Sequence, residues 1–210
     1  MRALLVIANP SPESFSHSMV KVAAEVLHAR EYEVWYHDLY GEHFDPVQPT
    51  GEAGNRRSSS ELVERHCRQL ADADLILIFH PNWWGQPPAI LKGWIDRVFR
   101  LGVAYDYPPD VGPEGAPTGL LRATCGLVFN TSNTPWEREV AVFGNPLQGL
   151  WKTCVFGLCG VAGFEQHVFG PMASSTPELR TDGWLRCVRS SRDMPKRIHL
   201  PAHTSEGTGP

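Results

Sequence analysis

Between Leu75 and Tyr107 the chain passes from an unbroken apolar run, through a proline- and glycine-rich aromatic turn, into a periodic stretch. Leu75 to Phe79 are apolar without alternation, the pattern of a short strand buried on both faces. After Pro87 and Pro88, apolar residues return at Leu91, Trp94, Ile95, Val98 and Phe99, which is the i, i+3, i+4, i+7, i+8 spacing of one helical face. The prolines suit a first helical turn, where no backbone donor is missed. The turn itself, Pro81 to Gln86, therefore lies at the carboxyl end of a strand, and in open α/β sheets ligands bind in the crevice beyond those ends. Trp83 and Trp84 are adjacent and cannot both point into one core. At least one is expected to line a cleft suited to a planar aromatic ligand; the competing reading packs both beneath the loop.

The rest of the chain repeats the same grammar. Arg2 to Ala8 is a continuous apolar run, followed by the turn NPSPESFS and by Met19, Val22, Ala23, Val26 and Leu27 on one helical face. A strand-to-helix turn of this kind can bind phosphate without a glycine fingerprint, because free amides and the positive end of the helix dipole face the anion. Ser14, Ser16 and Ser18 are the candidate hydroxyl donors, and simple N-capping by Ser14 or Ser16 is the alternative. Tyr32 to His37 suits a second strand. Residues 41 to 60 read as a long functional or disordered loop carrying Arg56 and Arg57, after which Ser60 caps a helix with Leu62, Val63, His66, Cys67 and Leu70 on one face.

Beyond the central helix, Tyr105 to Gly119 is an irregular, proline-rich excursion, a candidate lid or subunit contact. Ala123 to Phe129 resumes as a strand and ends in Asn130, Thr131, Ser132, Asn133 and Thr134, polar groups able to bond the edge of a heterocycle or simply to form a solvated turn. A helix from Pro146 to Leu158, a strand from Glu165 to Phe169 and a last helix from about Pro177, burying Trp184, Leu185 and Val188, complete residues 1 to 194. Residues 195 to 210 lack periodicity and read as a mobile tail.

At 210 residues with a net charge of −4, one well-buried α/β domain is expected, with no basic field for nucleic acid or an anionic membrane surface. Cys67, Cys125, Cys154, Cys159 and Cys187 are odd in number and form no CxxC pair, which argues against a disulfide framework and a zinc cage, and for a reducing compartment. Met1 leads straight into the first strand and no apolar run reaches 18 residues, so a cytoplasmic protein without membrane insertion is expected. Alternating strands and helices predict a doubly wound, mainly parallel five-stranded sheet in three αβα layers, its strand order reversing beside the first strand. Three loops then converge, 9 to 16, 81 to 86 and 130 to 134. One offers phosphate chemistry, one an aromatic surface and one polar bonds, a set that describes a flavin nucleotide; no GxGxxG motif is present.

The segment HPNWWGQPPAILKGWIDRVFRLGVAY resembles the signature of the flavodoxin-like NAD(P)H:quinone oxidoreductases, a family that includes DT-diaphorase, the MdaB-type modulators and the flavoproteins ancillary to bacterial potassium efflux systems. ANPSPESFSHSM is similar to the family's first loop. The resemblance implies a homodimeric flavoprotein that passes a hydride from NADPH or NADH through FAD, or alternatively FMN, to a quinone-like acceptor. It implies phosphate contacts from Ser14, Phe15, Ser16 and Ser18, with Asn9 standing where the family commonly has histidine. It implies isoalloxazine contacts from Pro81, Asn82, Trp83, Trp84 and Gly85, and from Asn130, Thr131, Ser132 and Asn133, which replace a Thr-Thr-Gly-Gly type turn. Val103, Ala104 and Tyr105 would reach the substrate pocket of the partner subunit.

One departure bears on mechanism. DT-diaphorase carries a tyrosine and a histidine soon after that turn, whereas Pro135 to Gly149 contains neither. No general acid or base is therefore assigned; His17, His66 and His80 are available, but a lone histidine in a turn or on a helix is more often solvated or packed. A non-catalytic flavodoxin-type electron carrier and a regulatory subunit of a potassium-efflux transporter are the alternative functions.

Overall fold

The computed structural model describes residues 1–52, 57–109 and 114–174. Its apolar runs form β1 (Arg2–Ile7), β2 (Glu33–Asp38), β3 (Leu75–Pro81), β6 (Cys125–Thr131) and β7 (Gly163–Phe169), with a small antiparallel ribbon of β4 (Tyr105–Asp106) and β5 (Thr118–Gly119) between β3 and β6. The five long strands are parallel in the order β2-β1-β3-β6-β7. The chain leaves β1 to one side and returns to β3 on the other, so the order reverses at β1 as the pattern predicts.

The helices are α1 (Phe15–His28), α2 (Glu61–Asp72), α3 (Ala89–Val98), α4 (Trp136–Arg138) and α5 (Pro146–Gln148). The last two run on as wider turns, Glu139–Phe143 and Gly149–Gly157. Side chains alternate across the strands. Ala3, Leu5, Ile7, Leu75, Leu77 and Phe79 pack against Met19, Val20, Ala23 and Leu27 of α1. Leu4, Val6, Ile76, Ile78 and Val128 face α2, α3 and the helix after Pro146. All seven residues of β3 are buried, which is why its sequence shows no polar alternation.

Ser14 and Ser60 cap α1 and α2. The loop after β2 is anchored, not loose, along its described first half. Arg97 of α3, 3% exposed, donates Nε and Nη2 to the two carboxylate oxygens of Glu52 at 3.0 and 2.7 Å, and Nη1 to Asp45 O at 2.6 Å. A guanidinium fork matches a carboxylate in just this bidentate way. Arg56, the helix expected from Pro177 and the tail from Pro195 lie outside the described residues.

Candidate functional site

The carboxyl ends of β1, β3 and β6 are neighbours, so the loops that follow them stand side by side on one edge of the sheet. Between the second and third of these loops opens a cleft of about 480 Å³ lined by Asn82, Trp84, Gly85, Ser132, Asn133, Thr134, Glu139, Phe143 and Pro146. That size is ordinary for a small-molecule site. Trp84 is fully exposed and Trp83 is 44% exposed, so neither indole packs beneath the loop. Two consecutive left-handed residues hold them out, Trp84 at φ 56° and Gly85 at φ 71°. A tryptophan in that region is strained, and such strain persists only where surrounding contacts enforce it. Here the enforcing bonds are paired Trp83–Gln86 backbone hydrogen bonds at 3.0 Å and Gly85 N–H donating to Asn82 Oδ1 at 2.9 Å.

Asn82 ties this turn to both neighbours. Its backbone N–H donates to Thr131 O at 2.6 Å, and its side-chain Nδ2 donates to Glu139 Oε1 at 3.1 Å. Glu139 is 4% exposed and sits in the wall of the cleft. Periodicity does not reveal it, because the helical stretch after Pro135 leaves Trp136, Val140, Val142 and Phe143 exposed and so lacks an apolar stripe. The readable signal is Thr134-Pro135 followed by Glu137, a proline at a helix start with an acidic first turn.

Within β3, His80 is completely buried and neutral. Trp151 Nε1–H donates to its Nε2 at 3.1 Å, and its Nδ1 lies 2.8 Å from Pro81 O, so the single ring proton sits on Nδ1. Burial pushes its pKa down to about 4, with the bond to Pro81 O opposing the shift. Pro81 is itself buried in β3, and the accessible part of this loop begins at Asn82.

The third loop divides. Asn130 and Thr131 belong to β6, not to a turn, and Asn130 is wholly buried with its Oδ1 accepting from Gln166 Nε2 at 2.9 Å. Its Nδ2 is buried without a hydrogen-bond partner among the described residues. Thr131 is 8% exposed and does not line the cleft, whereas Ser132 and Asn133 do. Ser132 Oγ accepts from Thr134 N–H at 3.0 Å and Asn133 Oδ1 from Ala173 N–H at 3.0 Å, which fixes the turn.

At the first loop, the N-terminus of α1 is open, because the first intrahelical bond runs from Ser18 N–H to Ser14 O. The amides of Phe15 and Ser16 precede it. The serine hydroxyls, however, are already committed. Asp38 Oδ2 lies 3.2 Å from His17 Nε2, so the ring proton belongs there and Nδ1 is left to accept from the Ser14 hydroxyl at 2.9 Å. Ser14 Oγ in turn accepts His17 N–H, the capping bond. Ser16 is fully buried with its Oγ receiving Asn9 Nδ2 at 3.4 Å, while Asn9 Oδ1 accepts Ser11 N–H. Ser14 thus serves the helix cap and Ser16 the core, while Ser18 is half-buried and the amides of Phe15 and Ser16 precede the first intrahelical bond.

Of the residues expected at the substrate, Ala104 is fully buried within its own chain, and its backbone bonds Arg100 O and Leu120 N–H. Val103 and Tyr105 are half-buried against the core and lie outside this cleft in the same chain. His66 belongs to a separate cluster. Glu42 Oε1 lies 2.9 Å from His37 Nδ1, and Glu42 Oε2 lies 3.1 Å from His66 Nε2. The grouping resembles metal ligands. Trp94 Nε1–H, however, donates to His66 Nδ1 at 2.9 Å, which leaves the proton on Nε2 and removes that lone pair from metal binding. The cluster therefore staples the turn after β2 to α2. Despite its burial, Glu42 is drawn down to about 2 by bonds to both histidines.

The model of the Flavodoxin-like fold family (Flavodoxin_2) matches residues 1–184. The chain is 30% identical over 217 residues to a ribosyldihydronicotinamide dehydrogenase (quinone) of Rattus norvegicus, spanning 90% of this chain and 91% of that one. It is also 30% identical over 212 residues to NAD(P)H dehydrogenase (quinone) 1 of Rattus norvegicus, spanning 88% and 75%. Among solved structures, Smu.1420 from Streptococcus mutans superposes with a TM-score of 0.78 at 28% identity, over 92% of this chain and all of that one.

Proposed function

Because this chain belongs to the Flavodoxin-like fold family, we propose that it is a flavin-dependent NAD(P)H:quinone oxidoreductase, moving a hydride from NAD(P)H to a quinone or similar aromatic acceptor. The names of its relatives support the reaction class. The observation that carries it to this site is Trp84, held fully exposed by a left-handed backbone at the mouth of the cleft. A flat, solvated aromatic surface beside backbone amides fits an isoalloxazine ring.

When bound, the flavin supplies the redox chemistry by accepting and returning the hydride. The chain supplies the rest. Trp84 and Gly85 give the ring a bed, with Asn82 fixing the loop; Ser132 and Asn133 face its polar edge; the amides of Phe15 and Ser16 meet phosphate at the dipole end of α1. FAD is the nucleotide we favour. Its support is the anchored loop after β2, which stands beyond the phosphate loop in strand order and offers a surface on which an adenosine half can lie.

A homodimer completes the proposal, with Val103 and Tyr105 serving the partner's cleft. The support is the exposed apolar rim of Trp84, Trp136, Val142 and Phe143. A cytoplasmic location rests on the odd cysteine count without a CxxC pair. Among the described residues, no helix is long and apolar enough to cross a membrane.

The test is an absorption spectrum of purified protein given FAD or FMN and freed of excess, then treated with NADPH or NADH without oxygen. The expected result is bound flavin that bleaches and recovers on adding a benzoquinone. Retained flavin that neither nucleotide bleaches would favour an electron carrier, and failure to retain either flavin at micromolar concentration would overturn the reading.

A further inference from the structure

We infer that the Glu139 carboxyl holds the proton that accompanies hydride transfer in the cleft, an inference that rests on the reductase reading above. Reduction of a quinone to a hydroquinone consumes two electrons and two protons. The hydride brings both electrons and one proton, so the second proton must enter from solvent and wait within reach of the acceptor oxygen. Among the residues lining the cleft, Glu139 is the one that carries a carboxyl group.

The histidines nearest by sequence are already used. Both His80 ring nitrogens are bonded, to Trp151 and to Pro81 O, in a completely buried position that does not line the cleft. Both His17 nitrogens are bonded, to Ser14 and Asp38. Glu139 differs in having capacity left. Its Oε1 accepts from Asn82 Nδ2 at 3.1 Å, and the described residues give its Oε2 no bonded partner. Its bonded side chain is an amide and not a cation, so the carboxylate charge is not neutralised by an ion pair among the described residues. The amide cannot turn over, because Asn82 Oδ1 is held by Gly85 N–H at 2.9 Å. Oε1 is thereby fixed and Oε2 is left for a proton.

The electrostatics load that position at the right moment. As a hydride arrives in the cleft, negative charge arrives beside an existing carboxylate, and like charges in a partly dry site are relieved by a proton. The balance is complete: the nicotinamide C4–H bond would break as its hydride is taken up by flavin held in the cleft, which would store both electrons until the quinone arrives, while a solvent proton bonds to Glu139. In the second half-reaction the hydride passes to the quinone and the proton leaves Glu139 for the quinone oxygen.

The experiment counts protons on the flavin-loaded protein. Electrochemical reduction in weak buffer at neutral pH, with an indicator dye, is expected to show two protons taken up per two electrons in the native protein and one in Glu139→Gln, with flavin still bound. Infrared difference spectra of the native protein are expected to gain a protonated carboxyl band on reduction. Equal proton counts in native protein and variant, or no such band, would overturn the inference. If Glu139→Gln does not fold or does not hold flavin, the native infrared spectrum alone decides. Native protein that binds no flavin refutes the reductase reading instead, so the two failures are distinct.

Discussion

Replacing Gly85 with valine tests where the aromatic loop sits and what rests on it. Gly85 has φ 71°, and a Cβ there would lie 2.8 Å from Pro146 Cγ, on the first turn of α5. The left-handed backbone costs an L-residue about 1–2 kcal/mol. Forcing a methyl-bearing side chain against a proline ring adds roughly 1–3 kcal/mol. The sum, about 2–5 kcal/mol, is relieved if the loop swings away from Pro146. Flavin binding must then restore the loop, so its Kd should rise from roughly 30-fold to a few thousandfold, at about 1.4 kcal/mol per factor of ten. If the loop does not move, the same energy appears as a lower Tm, about 2–4 °C per kcal/mol for a chain of this size. Fluorescence titration of the apoprotein with flavin and a thermal melt, run on the same sample, measure both. A lower Tm with unchanged flavin affinity would mean that the loop keeps its position under strain. No change in either would refute the placement of Gly85 against Pro146.

Three further outcomes are expected. Gly93→Ala should lower Tm even though alanine favours a helix by about 0.5–1 kcal/mol, because the added Cβ meets Pro46 O at 2.2 Å and Pro46 Cβ at 2.4 Å; a raised Tm in differential scanning calorimetry would contradict this packing. His80 has a folded pKa of about 4 against 6.5, so the unfolded chain takes a proton first. Its contribution is complete above pH 6.5 and is lost as pH falls to about 4, amounting to about 3 kcal/mol. His80→Gln, which keeps an acceptor for Trp151, should flatten denaturant-measured stability across that window, and an unchanged slope would count against a neutral buried ring. Tyr105→Ala should raise the KM for quinone several-fold with flavin retained; unaltered steady-state kinetics would take Tyr105 out of the partner's pocket.

The reading of the fold from residues succeeded where the information is local. Leu75 to Phe79 and Arg2 to Ala8 declare doubly buried strands because burial on both faces removes alternation. Leu91, Trp94, Val98 and Phe99 declare a helix face because 3.6 residues make a turn, and all four are buried. The reading fell short at Trp136–Phe143, whose exposed valines and phenylalanine cancel the periodic signal. The partners and burial of Ser14, Ser16, Pro81, Asn130 and Ala104 likewise depend on residues elsewhere in the chain, which local pattern does not record.

The amino-acid order alone therefore determined the kinds of elements, their succession and the three loops that stand at one edge of the sheet. Each follows from chain sterics and from which side chains must leave water, which neighbours in sequence settle between themselves. The tertiary structure decided which polar atoms remain free in the cleft. Asn82 meets Glu139 from 57 residues away, Ser14 is occupied through His17 by Asp38, and the side-chain oxygen of Asn130 is taken by Gln166, 36 residues on, while its Nδ2 keeps no partner among the described residues. A donor or acceptor is available to a ligand only after the fold has chosen its internal partners, and periodicity carries no record of that choice.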